Sequence, residues 1–478
     1  MTGARQFAVM AMIAVAGFIT MLDNTVINVA LPTLQQELDL SLKDLEWVAT
    51  SYVLSFGALL LVGGRLADLV GRRLVMVVGL VIFTVSATLA GMAGNGTELI
   101  AARTVQGMGA ALVIPASLAI VAGDLPKHRR GLAIGVWTAA LAVALALGPM
   151  TGGIITDHWG WEWVFYSNLP FGVVALVLAV AVPKAPRPDK GLLKTLDLPG
   201  VVLSTAALYF LTYALVEGGT LGFTKSPVPQ YLLAAAVCAV LFLAVESRTF
   251  LPLVDPGLFR NRSLSGGTVA QILWGIGMNG VFFYTALYLQ RILEFSPTKA
   301  GLAFLPLAGA LLVTTPLAEW LAKVAGAHRV ISGGLLLVSA GLLYVSNQGL
   351  DATYGSLQPG LILIGIGSAL ATPVTVRSLD GVPRTRTGMA SGVVSAAREV
   401  SGVFGVVLVG VVLTRKEQSG LESGLLPHEA FLRGYDAGLQ LAAACALAGA
   451  VVTAITLRRS GRHRKPEVRP ANRRAQHV

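Results

Sequence analysis

Two residues set the problem this chain poses. Asp23 and Arg103 each lie inside an apolar run long enough to cross a bilayer, and an ionised group at that depth costs at least about 2.5–3.5 kcal/mol. Asp23 stands in "MLDNTVINVALP", residues 21–32, close to Asn24 and Asn28. Arg103 opens "RTVQGMGAA", with Gln106 one turn on along the same helix face. At about 1.5 Å per residue, both lie roughly 8–12 Å below the outer ends of their runs, so they are expected to meet. Loss of water favours the acid form of a carboxyl group and a nearby guanidinium favours the carboxylate. A carboxyl balanced between the two can take a proton in one conformation and give it up in another. The bland alternative is a satisfied polar cluster of Asp23 with Asn24 and Asn28, with Arg103 as a tie between helices. Glu399, in "AAREVSGVFG", is the third charge of this kind and follows Arg398. It reads as a second proton site or a contact for a cationic substrate, against an internal pair with a group of another span.

The elements that position these groups are helices. The chain has 478 residues, of which 54% are hydrophobic and 13% charged. That is about half the charge fraction of soluble domains. Fourteen apolar runs of about twenty residues account for the deficit: 7–30, 48–67, 74–94, 98–121, 131–155, 165–183, 197–216, 229–246, 266–290, 300–318, 329–346, 357–377, 388–413 and 437–457. Strands of a membrane barrel would be about half as long and would alternate in polarity. An all-α integral membrane protein is the expectation.

The net charge of +11 is distributed by topology. With the N-terminus inside, the inner loops and tail hold 27 Lys and Arg and the outer loops hold 7. This asymmetry predicts both termini in the cytoplasm and removes any need for a nucleic-acid partner. The first run is too long for a signal-peptide core and carries Asp23, so it reads as a retained span. Cys238 and Cys445 lie in separate spans and read as apolar filler. No Gly-Lys dipeptide exists, hence no phosphate-cradling ATPase loop. The six His, at 128, 158, 328, 428, 463 and 477, read as loop or tail residues. No metal, no cofactor and no enzymatic activity are expected.

A weak echo organises the chain. "RLADLVGRR" (65–73) follows span two and "WLAKVAGAHR" (320–329) follows span ten. Two six-span halves with two spans inserted between them explain that offset. The expected units are an N-terminal bundle at 1–183, a Pro- and Lys-rich linker at 184–196, two inserted spans at 197–248, a C-terminal bundle at 249–457 and a basic tail at 458–478. In the first loop Asp68, at the inner end of span two, has Arg72 and Arg73 just beyond. Paired with them or with a neighbouring helix N-terminus, it would form a latch made in one arrangement and broken in the other. "ALGPMTGGII" places Gly148, Pro149, Gly152 and Gly153 inside span five, where proline interrupts the backbone ladder and glycines admit a close crossing.

Taken together these pieces resemble the major facilitator superfamily, and within it the fourteen-span drug/proton antiporters. "LDNTVINVALP" is similar to the family's first-span signature, with Asp23 at its acidic position. "GRLADLVGRR" resembles the loop-two/three motif through Gly64, Asp68, Gly71, Arg72 and Arg73. "RTVQGMGAA" resembles the fourth-span motif through Arg103, Gln106 and Gly107, and "LGPMTGG" the fifth-span antiporter motif. "HWGWEWVFYSNLPFG", "VEGGTLGFTKSP" and "LFRNRSLSGG" are further pieces of the same kind, so the resemblance runs over nearly the whole chain. Departures are Leu69 where a basic residue is common, Ala144 for Gly, Glu162 for Arg, Glu399 for Gln, and Lys323 in the second loop where the first has Asp68.

The resemblance implies two six-helix bundles plus two inserted helices and proton-driven export by alternating access. Asp23 and Arg103, with Glu399, would serve proton coupling, and the loop motif would stabilise the outward-facing state. The expected substrates are hydrophobic, often cationic, small molecules taken from a central cavity. Candidate lining residues are Asn24, Tyr52, Gln106, Trp137, Gln271, Trp274, Asn279 and Tyr284. The other readings of the same scaffold are an exporter of one natural product or metabolite, and a substrate/proton symporter. A monomer in a bacterial plasma membrane, with lipid and protons as its other partners, completes the expectation.

Overall fold

The computed structural model describes residues 3–179, 197–249, 252–350, 352–383 and 386–458. Among them there is no strand. The helices are α1 (Gly3–Glu37), α2 (Leu42–Val70), α3 (Arg72–Gly91), α4 (Gly96–Asp124), α5 (Lys127–Trp159), α6 (Glu162–Tyr166), α7 (Asn168–Ala179), α8 (Leu198–Leu221) and α9 (Val228–Glu246). They continue as α10 (Arg262–Arg291), α11 (Pro297–Ala303), α12 (Leu305–Leu321), α13 (Ala327–Ser346), α14 (Tyr354–Ala371), α15 (Val374–Ser378), α16 (Thr387–Glu422) and α17 (Pro427–Thr456).

Thirteen stretches are long and apolar enough to cross a membrane, and one of them, Pro297–Ser346, runs for 50 residues. As one helix it would measure about 75 Å, more than twice a hydrocarbon core. It turns back at Gly326 and so supplies two crossings, which makes fourteen. Gly326 has φ +90° and Gly71, between α2 and α3, has φ +109°. A side chain would be strained at either angle, so the loop echo marks two equivalent turns. Lys323 sits in a π turn just before the second. The sixth, tenth and twelfth spans are not continuous. They break as α6/α7, α11/α12 and α14/α15.

The two six-span halves pack alike. In the first, α1 lies on α5 and α7, α3 on α4 and α7, and α2 on α4. In the second, α10 lies on α16 and α17, α13 on α14 and α17, and α12 on α14. The inserted pair, α8 and α9, packs on itself, and α8 touches α2 and α16, one helix from each half. The expected linker 184–196 lies outside the described residues, as does the tail from 459 on and the side chain of Asp68.

The helices are longer than the apolar runs suggest. Ser41 caps α2 in a reciprocal box with Asp44, so α2 starts six residues before its expected apolar start. This moves Glu46 into the packed interior, at 5% exposure. The same lengthening puts His128 and His158 in α5, His328 in α13 and His428 in α17, rather than in loops.

The halves meet unequally at the two ends. At the face opposite the N-terminus, Gln290 Nε2 donates to the Val29 carbonyl over 2.9 Å, Arg291 donates to Gln35, and Thr298 donates to Asp157 over 2.7 Å. At the terminal face, α5 is exposed round most of its circumference, at Gly131, Leu132, Ile134, Gly135 and Val136 among others. The corresponding part of α12 exposes Leu312, Val313, Leu317 and Trp320. A helix with no described neighbours on most sides is not sealing a seam at that level. The molecule is therefore closed at the opposite face and open between α5 and α12 at the terminal face.

Candidate functional site

The site begins with glycines. A methyl group on Gly107 of α4 would overlap the Tyr52 carbonyl oxygen and Ser55 of α2, and one on Gly109 would overlap the backbone of α3 at Phe83. The "QGMGA" run thus draws α4 tightly against α2 and α3, and that approach carries Arg103 into the interior. On the other side of α1, Gly148 and Gly152 of α5 face Thr25 and Val26 so closely that neither could carry a Cβ in place. With α5 that close, α1 has Asp23 turned toward α4.

Asp23 and Arg103 meet as a fully buried ion pair, Nη1 to Oδ2 at 2.5 Å. Gln106 Nε2 and Asn168 Nδ2 both donate to Asp23 Oδ1 over 2.8 Å. Arg103 Nη1 also reaches Gln106 Oε1 at 2.9 Å, and its Nε reaches the Val48 carbonyl at 3.4 Å. The guanidinium lies 4.4 Å from the centre of the Tyr52 ring, and the Tyr52 hydroxyl donates to the Thr20 carbonyl over 3.1 Å. Asp23 accepts three hydrogen bonds and makes none as a donor, the pattern of an ionised carboxylate. Removing either charge would strand the other, at a cost of about 3–5 kcal/mol. Asn24 and Asn28 are not partners of Asp23. Asn28 bonds back to its own helix at the Asn24 carbonyl.

Glu399 stands apart from this cluster. Its partner is its own neighbour Arg398, at 2.8 Å, and not a group of another span. Arg398, expected inside its span, has a side chain 52% exposed. Across the halves, the Glu399 side chain faces α2 at Gly57.

Of the expected lining residues, Asn24, Trp137, Trp274 and Asn279 are partly exposed. Trp274 Nε1 donates to Ser368, and Asn279 to the carbonyl of Gly275 in its own helix. Four others do not line an open cavity in this conformation. Tyr52 and Gln106 are consumed by the ion-pair cluster, and Gln271 is buried beside Thr375. Tyr284 is completely buried and bonded to Glu46 and the Val406 carbonyl. In the loop motif Gly64 borders a cavity of about 540 Å³ at the terminal face, with Pro115 of α4 and Gly392 of α16.

Pro149 and Gly153 sit at the junction of the halves. A methyl on Gly153 would overlap the Pro297 carbonyl oxygen of α11, and one on Gly301 of α11 would overlap the Pro149 carbonyl oxygen. This crossing is reciprocal, backbone against backbone.

The buried polar groups that a reading by apolar runs misses include Asn168 and Glu46. Asn168 lies in "YSNLPFG", where an amide inside an apolar span is itself a signal. Glu46 could be found from the Ser41-x-x-Asp44 capping pattern, which starts the helix early.

Residues 13–406 match the Major Facilitator Superfamily. The chain is 34% identical to the multidrug resistance protein Stp of Mycobacterium tuberculosis, over 86% of this chain and 76% of that protein. It is 33% identical to a puromycin resistance protein of Streptomyces alboniger, over 93% and 89%. It is 28% identical to a tetracenomycin C resistance and export protein of Streptomyces glaucescens, over 98% and 94%. The fold is similar to that of a solved POT family peptide transporter, at TM-score 0.69 and 16% identity over 98% and 99% of the two chains. A D-xylose-proton symporter aligns at TM-score 0.63 and 16% identity over 92% and 96%.

Proposed function

The chain belongs to the Major Facilitator Superfamily, and on that footing we propose that it exports hydrophobic small molecules, cationic ones among them, in exchange for protons. The observation that carries the reading is the buried Asp23–Arg103 pair, held by Gln106 and Asn168 between α1, α4 and α7. The names of the relatives speak of multidrug resistance, of puromycin resistance, and of tetracenomycin C resistance and export. They favour a drug-like substrate.

The excess of Lys and Arg in the loops and tail on the terminal side supports a cytoplasmic position for that face in a bacterial cell. This conformation is then inward-open. Its Asp23 is ionised, so the cleft accepts a substrate while no proton is bound there. After the halves rock, a proton from outside neutralises Asp23, which can no longer hold Arg103 as an ion pair. The protonated form swings back and releases its proton inside. Substrate goes out and protons come in, and no cofactor is needed. The Asp68 loop keeps its proposed place as latch, and Glu399, whose side chain faces α2 at Gly57, its place as a proton site or a contact for a cationic substrate.

The test is transport into inverted vesicles with an acidic lumen. The wild type accumulates substrate. Asp23→Asn reaches the membrane and still exchanges labelled for unlabelled substrate without a gradient, but accumulates none. Gradient-driven accumulation at the wild-type level in that variant would sink the reading.

A further inference from the structure

Glu46 is a buried carboxyl group that this export cycle leaves unused. It lies one turn into α2, 5% exposed, and its Oε1 is 2.8 Å from the Tyr284 hydroxyl of α10. The same hydroxyl is 2.9 Å from the Val406 carbonyl of α16. At the third side, a methyl on Gly410 of α16 would overlap both the Glu46 carboxyl and the Tyr284 hydroxyl. The pair thus occupies space that α16 leaves by having a glycine there. It joins a helix of the first half to two helices of the second.

The hydrogens do not balance if Glu46 is ionised. A tyrosine hydroxyl owns one hydrogen, and a carbonyl and a carboxylate are both acceptors only. One of the two contacts would then be bare oxygen against oxygen. A protonated Glu46 resolves this, since it donates to Tyr284, which donates to Val406. Nearby charges do not offer a substitute. On α2, Lys43 is held at 2.5 Å by Glu217 of α8, and Asp44 is engaged in the Ser41 cap. From α8 the wall of the cavity beside Glu46 holds Val216, Gly219 and Thr220, none of them charged. From α16, Glu417 borders that cavity and is itself acidic, and the Arg415 guanidinium donates to the Gly218 carbonyl of α8. Among the described residues no Lys, Arg or His pairs with Glu46 within 4 Å.

We propose that Glu46 is a further proton-binding group, whose carboxylic acid, bonded to Tyr284 across the two halves, closes the face opposite the termini. The closing role rests on the alternating-access reading above. A cavity of about 370 Å³ lined by Glu46, Lys43, Thr220 and Gln418 connects the group with that face. Closure takes one proton from water on that side. Opening exposes the carboxyl, which gives the proton back and stands ionised in water.

The test uses the full-length protein with Cys238→Ala and Cys445→Ala in lipid nanodiscs. Spin labels at Met92→Cys and Asn347→Cys mark the ends of α3 and α13 at the opposite face, one in each half. In wild type the ratio of short to long distances falls by up to tenfold per unit rise in pH through the responsive range. Glu46→Gln, whose amide still donates to Tyr284, keeps the short distance at alkaline pH. Tyr284→Phe lowers the short-distance population at acidic pH as well. Infrared spectra supply a readout free of distances, a carboxylic-acid C=O band that Glu46→Gln removes. A pH response in Glu46→Gln equal to wild type, or no band lost on that substitution, overturns the proposal. Wild-type distances that respond to neither pH nor a transported dye would overturn the closing role along with alternating access. The infrared band would then decide the proton site alone.

Discussion

Replacing Gly153 by alanine should unseal the face opposite the termini, whereas replacing Gly148 should not. Both glycines belong to one short run of α5, and both meet a neighbour too close for a Cβ. Their neighbours differ. Gly148 and Gly152 face Thr25 and Val26 of α1, within one half, while Gly153 faces the Pro297 carbonyl of α11, in the other. A backbone oxygen cannot rotate aside as a side chain can, so α5 and α11 must separate. Forcing an extra methyl into such packing costs about 1–3 kcal/mol. At Gly153 that cost falls only on the form in which the halves touch. With 1.4 kcal/mol per factor of ten, the closed-to-open ratio should drop about 5- to 150-fold. At Gly148 the cost falls on both forms alike, so it should appear as lower thermal stability at an unchanged ratio. Spin-label distances between positions 92 and 347, with thermal unfolding of the same samples, measure both. A Gly148→Ala variant that opens the face as far as Gly153→Ala would refute this reasoning. So would a folded Gly153→Ala variant with the wild-type ratio.

Further expectations concern single residues. Arg103→Lys keeps the charge but cannot span Asp23, Gln106 and the Val48 carbonyl from one planar head. Proton-driven accumulation should be lost in that variant, with substrate exchange retained, as read in vesicles. Asp68→Asn should slow turnover more than it weakens substrate binding, which initial rates and equilibrium binding separate. Alanine at Gly71 or Gly326, where φ is +109° and +90°, should cost about 1–2 kcal/mol each, seen as a lower unfolding temperature.

Much of the architecture was written in run lengths and charge placement. Fourteen apolar runs correspond to fourteen crossings, because a bilayer forces each backbone to satisfy itself in a helix. The ion pair was legible too, since depth along two helices can be counted from their ends. Helix starts were harder. Apolar runs mark where lipid begins, while Ser41 marks where the helix begins, and the difference hid Glu46. Partners across helices were harder again. Nothing in "WGIGMNGVFFY" distinguishes Tyr284, fixed in the core, from Trp274 or Asn279 at a partly exposed edge. That choice depends on the helix opposite, here on a glycine at 410 that makes room for a hydroxyl and a carboxyl. The counter-charge of Glu399 was hard to read for a related reason, because it is Arg398, its own neighbour, and not a residue of another span.

The inserted pair α8–α9 leaves the molecule lopsided toward the surrounding lipid. Two seams run between the halves, one along α2 and α16 and the other along α5 and α12. The first is roofed by α8, which rests on both of its walls. Among the described residues the second has no such cover and is parted at the terminal face. If an oily solute enters from that leaflet, bulky substitutions along α5 and α12 should slow its transport while the same changes on α9 should not, as initial rates in vesicles would show.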